Sequence, residues 1–291
     1  MKLRGVKLNK LLKALAFDNQ ISVAVLDTTE MVNKAIEIHK LSPVCAAAFG
    51  RTITASTFMA SGLKNKGDKL TVVIKGDGPC GKITVCGNGD LFMRGCIDNP
   101  QVDIPLRSDG KLDVGSCVGR NGKMVVIRSM GLKESYTGSS ELVSGEIAED
   151  FTSYYATSEQ QPTAMALGVK IGTDLKCVGA GGVIVQALPF ASEENLIKAE
   201  EIIKKLSNVS TLVGEFGAEG IFKKYFGVDN YTEYNPQYKC LCSREYIEEV
   251  LVSLGKEELE KIIKEEGKIT VNCQFCATDY NFYSEDVEKL F

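Results

Sequence analysis

Four cysteines near the end of the chain are spaced C-x-C, thirty residues, then C-x-x-C: Cys240, Cys242, Cys273 and Cys276. Zinc takes four soft ligands in a tetrahedron, about 2.3 Å from each sulfur. A strand ending in Val271-Asn272-Cys273-Gln274-Phe275-Cys276 supplies two ligands from one knuckle, and the intervening residues must fold back to deliver the other pair. We therefore expect one Zn²⁺ per chain, held by these four thiolates. The C-x-C half is unusual for a zinc ribbon, because it holds its sulfurs on a shorter tether than C-x-x-C.

The other cysteines sharpen this reading. The chain has 10 cysteines, a single histidine (His39) and no tryptophan. Met1-Lys2-Leu3-Arg4 hints at an export signal, but Lys7, Lys10 and Lys13 break any apolar run and no cleavage site follows. We expect a cytoplasmic protein. In a reducing compartment, cysteines in such number point to metal binding, catalysis or redox sensing, not structural disulfides. The formal net charge is −4. From residue 236 onward there are 12 Asp/Glu against 7 Lys/Arg, so the metal-binding region is acidic. Phosphate contacts need Lys and Arg, which argues against a nucleic-acid partner. The apolar stretch 43–62 is interrupted by Arg51 and several hydroxyls and reads as a core helix, leaving no membrane partner either.

Four thiolates on one ion support two roles. The site is inert and structural, or it is a switch in which an oxidant converts a thiolate to sulfenic acid and a neighbour closes the disulfide. The sequence-adjacent pairs, Cys240 with Cys242 and Cys273 with Cys276, are the natural disulfides, and losing the ion should unfold a domain this small. Spacing does not choose between the roles. A thioredoxin-type oxidoreductase would place Cys273 and Cys276 at a helix N-terminus, whereas residues 277–282 read as a returning strand. Other motifs carry little. Gly76-Asp77-Gly78-Pro79-Cys80-Gly81 matches a dinucleotide fingerprint, yet a β-type run follows it, so it reads as a hairpin loop. No cofactor-binding or catalytic residues are expected, and His39 reads as a helix-end residue. Cys45, Cys80, Cys86, Cys96, Cys117 and Cys177 read as small buried hydrophobes.

Along the chain, strand-like runs at 21–26, 69–75, 82–86, 91–97, 114–118, 123–127 and 178–188 alternate with helices at 29–40, 43–62 and 144–158. Hairpins are expected to turn at 87–90 and at 120–122. Antiparallel hairpins with packed helices make the fold class α+β. We expect an antiparallel-sheet core domain over 1–189, a helical linker over 190–235 and a small four-cysteine zinc domain over 236–291. The linker opens with an amphipathic helix (Leu196, Ala199, Ile203, Leu206) and continues through glycines 214, 217, 220 and 227. Each glycine inside a helix costs about 1 kcal/mol relative to alanine, so this segment should be metastable unless it packs on the core.

These residues resemble a known family. Glu233-Tyr234-Asn235-Pro236-Gln237-Tyr238-Lys239-Cys240-Leu241-Cys242-Ser243, with the 271–276 knuckle, is similar to the zinc region of the redox-regulated heat-shock holdases of thirty-three kilodaltons. Residues 138–150 (GSSELVSGEIAED), 158–164 (SEQQPTA), 179–189 (GAGGVIVQALP) and Asp98-Asn99-Pro100 extend the resemblance over nearly the whole chain. It implies an ATP-independent chaperone with no enzymatic turnover, inactive when reduced and zinc-bound. Oxidation would form the two neighbouring disulfides, release zinc, unfold the C-terminal domain and loosen the linker. Unfolding client proteins would then bind, and the oxidised chain would form a homodimer. Leu196, Ile203, Phe222 and Phe226 would cover or become client-binding surface.

Overall fold

A computed structural model describes residues 9–131 and 134–291; the reading of Met1-Lys2-Leu3-Arg4 and Lys7 lies outside these residues. The chain divides into two compact units between Tyr238 and Lys239.

In the first unit, β1 (Lys10–Ala16) and β2 (Ile21–Asp27) are followed by α1 (Thr29–His39) and α2 (Pro43–Ala60). Next come β3 (Lys69–Lys75), β4 (Lys82–Asn88), β5 (Phe92–Ile97), α3 (Val114–Val118), β6 (Lys123–Ser129) and β7 (Tyr136–Glu141). Then α4 (Ala148–Thr157), β8 (Thr163–Ile171) and β9 (Cys177–Ala187) precede α5 (Glu193–Lys205) and α6 (Val209–Ile221). A π-helical turn at Phe222–Phe226 and two short strands, β10 (Thr232–Tyr234) and β11 (Gln237–Tyr238), complete it. One sheet has the order β10-β1-β2-β9-β8, the other β11-β5-β4-β3-β6-β7. Every pairing is antiparallel except β11 on β5. The fold class is α+β.

The helix α2 joins the two sheets. Ser42 caps it by accepting from the Cys45 amide, and Pro43 follows at its first position. All of its residues but Pro43 and Arg51 are buried, because it packs against β8 and β9 on one side and β3, β4 and β5 on the other. A helix apolar all round must be buried all round. The hydroxyls of Thr52, Thr54 and Thr57 are satisfied by the carbonyls one turn back, at 2.8, 2.7 and 2.7 Å.

The second sheet has the simple pattern. Leu70, Val72 and Ile74 of β3, Ile83 and Val85 of β4, and Met124 and Val126 of β6 all point into the core shared with α2. The first sheet is buried on both faces. Leu11, Ala24 and Leu26 join the α2 core, while Leu12, Ile21, Val23 and Val25 join a second core under α5, α6 and the π turn. This explains why β1 is not legible in the sequence. Adjacent leucines serve opposite cores, and Lys10 and Lys13 interrupt the apolar pattern.

The glycines of residues 190–235 have distinct tasks. A Cβ on Gly179 of β9 would lie 2.2 Å from the Ser210 carbonyl, and Gly214 of α6 sits against the same place, so α6 and β9 approach backbone to backbone. Gly217 (φ +68°) breaks the helical path within α6, and Gly227 (φ +63°) ends the π turn.

Three sequence expectations need correction. Residues 114–118 form the short helix α3, not a strand, since the Asp113 carboxylate accepts from the Ser116 amide at 3.0 Å and nucleates a turn. Residues 120–122 therefore link α3 to β6, and the neighbours of β6 are β3 and β7. The third helix begins at Ala148, not 144. Buried Asp150 gathers the amides of Val143, Ser144, Gly145 and Ile147 at 2.7–3.3 Å, which holds the preceding residues in a loop.

Candidate metal centre

The second unit contains α7 (Arg244–Val252), α8 (Lys256–Glu266), β12 (Ile269–Asn272), β13 (Asp279–Phe282) and α9 (Ser284–Leu290). Ser243 caps α7, its hydroxyl accepting from the Tyr246 amide at 3.2 Å. Gly255 (φ +87°) separates α7 from α8, and Gly267 (φ +78°) ends α8. Both are left-handed positions that glycine occupies without strain. The buried apolar side chains here are only Ile247, Leu251, Leu259, Ile269, Phe282 and Val287. Arg244 braces them: its guanidinium lies 4.3 Å from the Phe282 ring centroid and bonds Glu248, Asp286 and the Asn281 carbonyl at 2.9–3.0 Å.

The antiparallel pair β12–β13, in register from Ile269↔Phe282 to Asn272↔Asp279, aims its connecting knuckle at the cysteines. The Cys273 amide donates to the Thr278 carbonyl at 2.9 Å, and the Cys276 and Ala277 amides donate to the Cys273 carbonyl at 3.3 and 2.8 Å. Ala277 at φ +55° makes the turn back into β13. The C-x-x-C therefore sits in a hairpin, not at a helix N-terminus, as the sequence predicts.

Cys240 and Cys242 meet this knuckle from the other end of the unit. All four Sγ atoms lie within 4.8 Å of one another. Between the two motifs, Cys240 and Cys273 stand 3.8 Å apart and Cys242 and Cys276 3.4 Å apart. Four sulfurs about 2.3 Å from a central ion stand about 3.8 Å apart in a regular tetrahedron. The donor set and its spacing thus fit a tetrahedral soft-metal centre, and all four cysteines are half-buried.

Two hydroxyls that the cysteine spacing does not point to support the sulfurs. Tyr280 Oη donates to Cys242 Sγ at 3.2 Å, and Thr278 Oγ1 lies 3.2 Å from Cys276 Sγ. Only the β12–β13 register, which sets Tyr280 opposite Val271, reveals them. Burial pushes the Cys240 thiol up, reinforced by hydrogen bonding to Cys242 and the nearby Cys273 charge. Burial likewise raises Cys273. Burial also pushes Cys276 upward, but hydrogen bonds from the Thr278 hydroxyl and amide and from the neighbouring thiols outweigh it and bring Cys276 down to about 7.

The remaining cysteines lie in the first unit. Cys45, Cys80, Cys117 and Cys177 are buried as expected, whereas Cys86 and Cys96 are half-exposed because they take the outward positions of β4 and β5. The glycine-rich run 76–81 is the loop joining β3 to β4. A Cβ on Gly78 would lie 2.4 Å from the Cys117 carbonyl, and Gly81 has φ +69°, so its glycines serve packing. His39 ends α1, with Nε2 3.0 Å from Tyr238 Oη.

A family model described as Hsp33 protein matches residues 9–283. The chain belongs to the Hsp33 family. A 33 kDa chaperonin from Desulforamulus reducens is 42% identical over 284 residues, covering 96% of each chain. One from Ruminiclostridium cellulolyticum is 45% identical over 267 residues, covering 90% of this chain and 91% of its own. The crystal structure of the 33 kDa chaperonin of Thermotoga maritima matches with a TM-score of 0.89 and 33% identity, covering 98% of both chains. These relatives are named as chaperonins, not enzymes, and Hsp33 membership supports a chaperone role for this chain. Among the described residues, no helix is long and apolar enough to cross a membrane.

Proposed function

We propose that this chain is a redox-regulated, ATP-independent holdase of the cytoplasm that binds unfolding proteins after oxidation of Cys240, Cys242, Cys273 and Cys276. The observation that carries the proposal is the convergence of these four sulfurs within 4.8 Å. In the reduced chain they would hold one Zn²⁺, which would cross-link the two ends of the unit. Peroxide then acts on the sulfurs. One thiol of a pair becomes a sulfenic acid as a first water leaves. Its neighbour displaces a second water to close the disulfide, so two electrons pass from sulfur to each peroxide. The short tethers favour Cys240 with Cys242 and Cys273 with Cys276. Two such disulfides leave no thiolate to hold the metal.

The proposal continues through folding energetics. Six buried apolar side chains make a small core, and a metal bound only by the folded state contributes directly to its stability. Its loss would unfold residues 239–291 and weaken the hold on residues 190–235. Release of α5, α6 and the π turn would bare Leu12, Val23, Val25, Val183 and Val185, an apolar sheet face suited to unfolding clients and to a homodimer of oxidised chains.

The test is light scattering of a denatured client diluted into reduced, zinc-loaded chain or into chain oxidised by peroxide with mild heat, with released zinc read by a chromogenic chelator. The expected result is suppression of aggregation only by the oxidised sample, with zinc released. Equal behaviour of the two samples, or oxidation with zinc retained, overturns the switch.

A further inference from the structure

A cavity of about 650 Å³ in the first unit opens beside the C-terminal end of α2. Its accessible apolar wall is Met130 and Tyr136, with the buried Phe58, Met59 and Tyr155 beneath, and Lys13, Lys64 and Arg128 supply positive charge. Arg128 is committed: it pairs with Glu159 at 2.6 Å, and Glu159 also accepts from Tyr154 Oη at 2.8 Å. Lys13 is different. Its Nζ donates to the Ser61 carbonyl at 3.3 Å and lies 5.3 and 5.8 Å from the ring centroids of Phe58 and Tyr234. No carboxylate among the described residues pairs with it. Burial pulls its ammonium down to about 8 from 10.5.

A mostly buried charge without a counter-charge is costly to a fold, and here it faces a cavity with room for one. The aromatic and thioether wall rules out a small hydrated anion as the best fit, since such a ligand would leave that surface unused. We propose that this cavity binds an amphiphilic carboxylate, with its carboxylate on Lys13 and its hydrocarbon along Met130 and Tyr136. The cavity and its lining belong to the first unit.

The experiment is calorimetric titration of the reduced, zinc-loaded full chain with decanoate, with decanol and inorganic phosphate as parallel probes. Decanoate is expected to bind at least tenfold more tightly than either. Lys13→Met, which keeps the hydrocarbon stem, should lose at least tenfold in decanoate affinity and bind acid and alcohol alike, while Lys13→Arg retains the preference. On the unsubstituted chain with ¹³C-labelled lysine side chains, decanoate should shift the Lys13 ε-carbon resonance and leave the lysines outside the cavity unmoved. The proposal is overturned if decanoate fails to bind at millimolar concentration, if decanol matches it, or if the Lys13 resonance stays in place.

Discussion

At the scale of single residues, the cysteines are tuned by neighbours that are distant in sequence. Tyr280 Oη donates to Cys242 Sγ at 3.2 Å, and groups that orient metal ligands typically change affinity by about 10- to 100-fold when removed. Tyr280→Phe should therefore weaken zinc retention about tenfold in a chelator competition, with the fold intact by circular dichroism. Peptide mapping after peroxide should recover Cys240–Cys242 and Cys273–Cys276. Recovery of Cys240–Cys273 or Cys242–Cys276, which stand 3.8 and 3.4 Å apart, would show that contact across the motifs outweighs tether length. Lys13 supplies a stability prediction with a definite sign. Its folded value of about 8 lies below the ordinary 10.5, so the folded state binds this proton less well than the unfolded state. The burial penalty is fully present below pH 8, and stability rises as pH climbs from about 8 to about 10.5. Lys13→Met should raise the melting temperature at pH 7, by the equivalent of about 1–2 kcal/mol, part of the shift being offset by lost ring contacts. A melting temperature that falls would show that those contacts outweigh the penalty.

At the scale of elements, α6 is held by close backbone approach. Gly179→Ala would place a methyl 2.2 Å from the Ser210 carbonyl, and overpacking of this kind costs about 1–3 kcal/mol. The strain should fall on α6, because β9 is fixed between β2 and β8. Hydrogen exchange is expected to rise selectively across residues 209–226 while β9 stays protected. Uniform protection in the variant would mean that α6 adapts by sliding, and that its hold on the sheet is not the weak point. The glycine run in residues 190–235 is legible in the sequence as a source of weak helices. That Gly214 serves a backbone contact while Gly217 and Gly227 redirect the chain is not legible, because both tasks depend on the sheet beneath.

At the scale of the whole molecule, the two units differ sharply in what supports them. The first has two extensive cores, one around α2 and one under α5, α6 and the π turn, and the second has six buried apolar residues and a cluster of thiols. Chelation of metal under reducing conditions should abolish exchange protection in residues 239–291 and leave β1 to β9 protected. A second unit that stays protected without metal would have a self-sufficient core, and loss of zinc could not then trigger release of α5 and α6. Leu259, fully buried at the centre of that small core, offers a complementary check. Leu259→Ala should cost about 2–5 kcal/mol and unfold the unit at a lower peroxide dose.

The sequence by itself determined the features that depend on local spacing. It placed four thiols in two motifs, alternated Leu70, Val72 and Ile74 so that β3 has one buried face, and made α2 apolar all round beginning at a serine cap. Tertiary structure decided whatever depends on a surface supplied by distant residues. It set Tyr280 beside Cys242, split Leu11 and Leu12 between two cores, turned residues 114–118 into a helix against α2, and left Lys13 charged beside a cavity. Periodicity along a chain fixes which side chains share a face, but the partner of that face is set by packing and strand register.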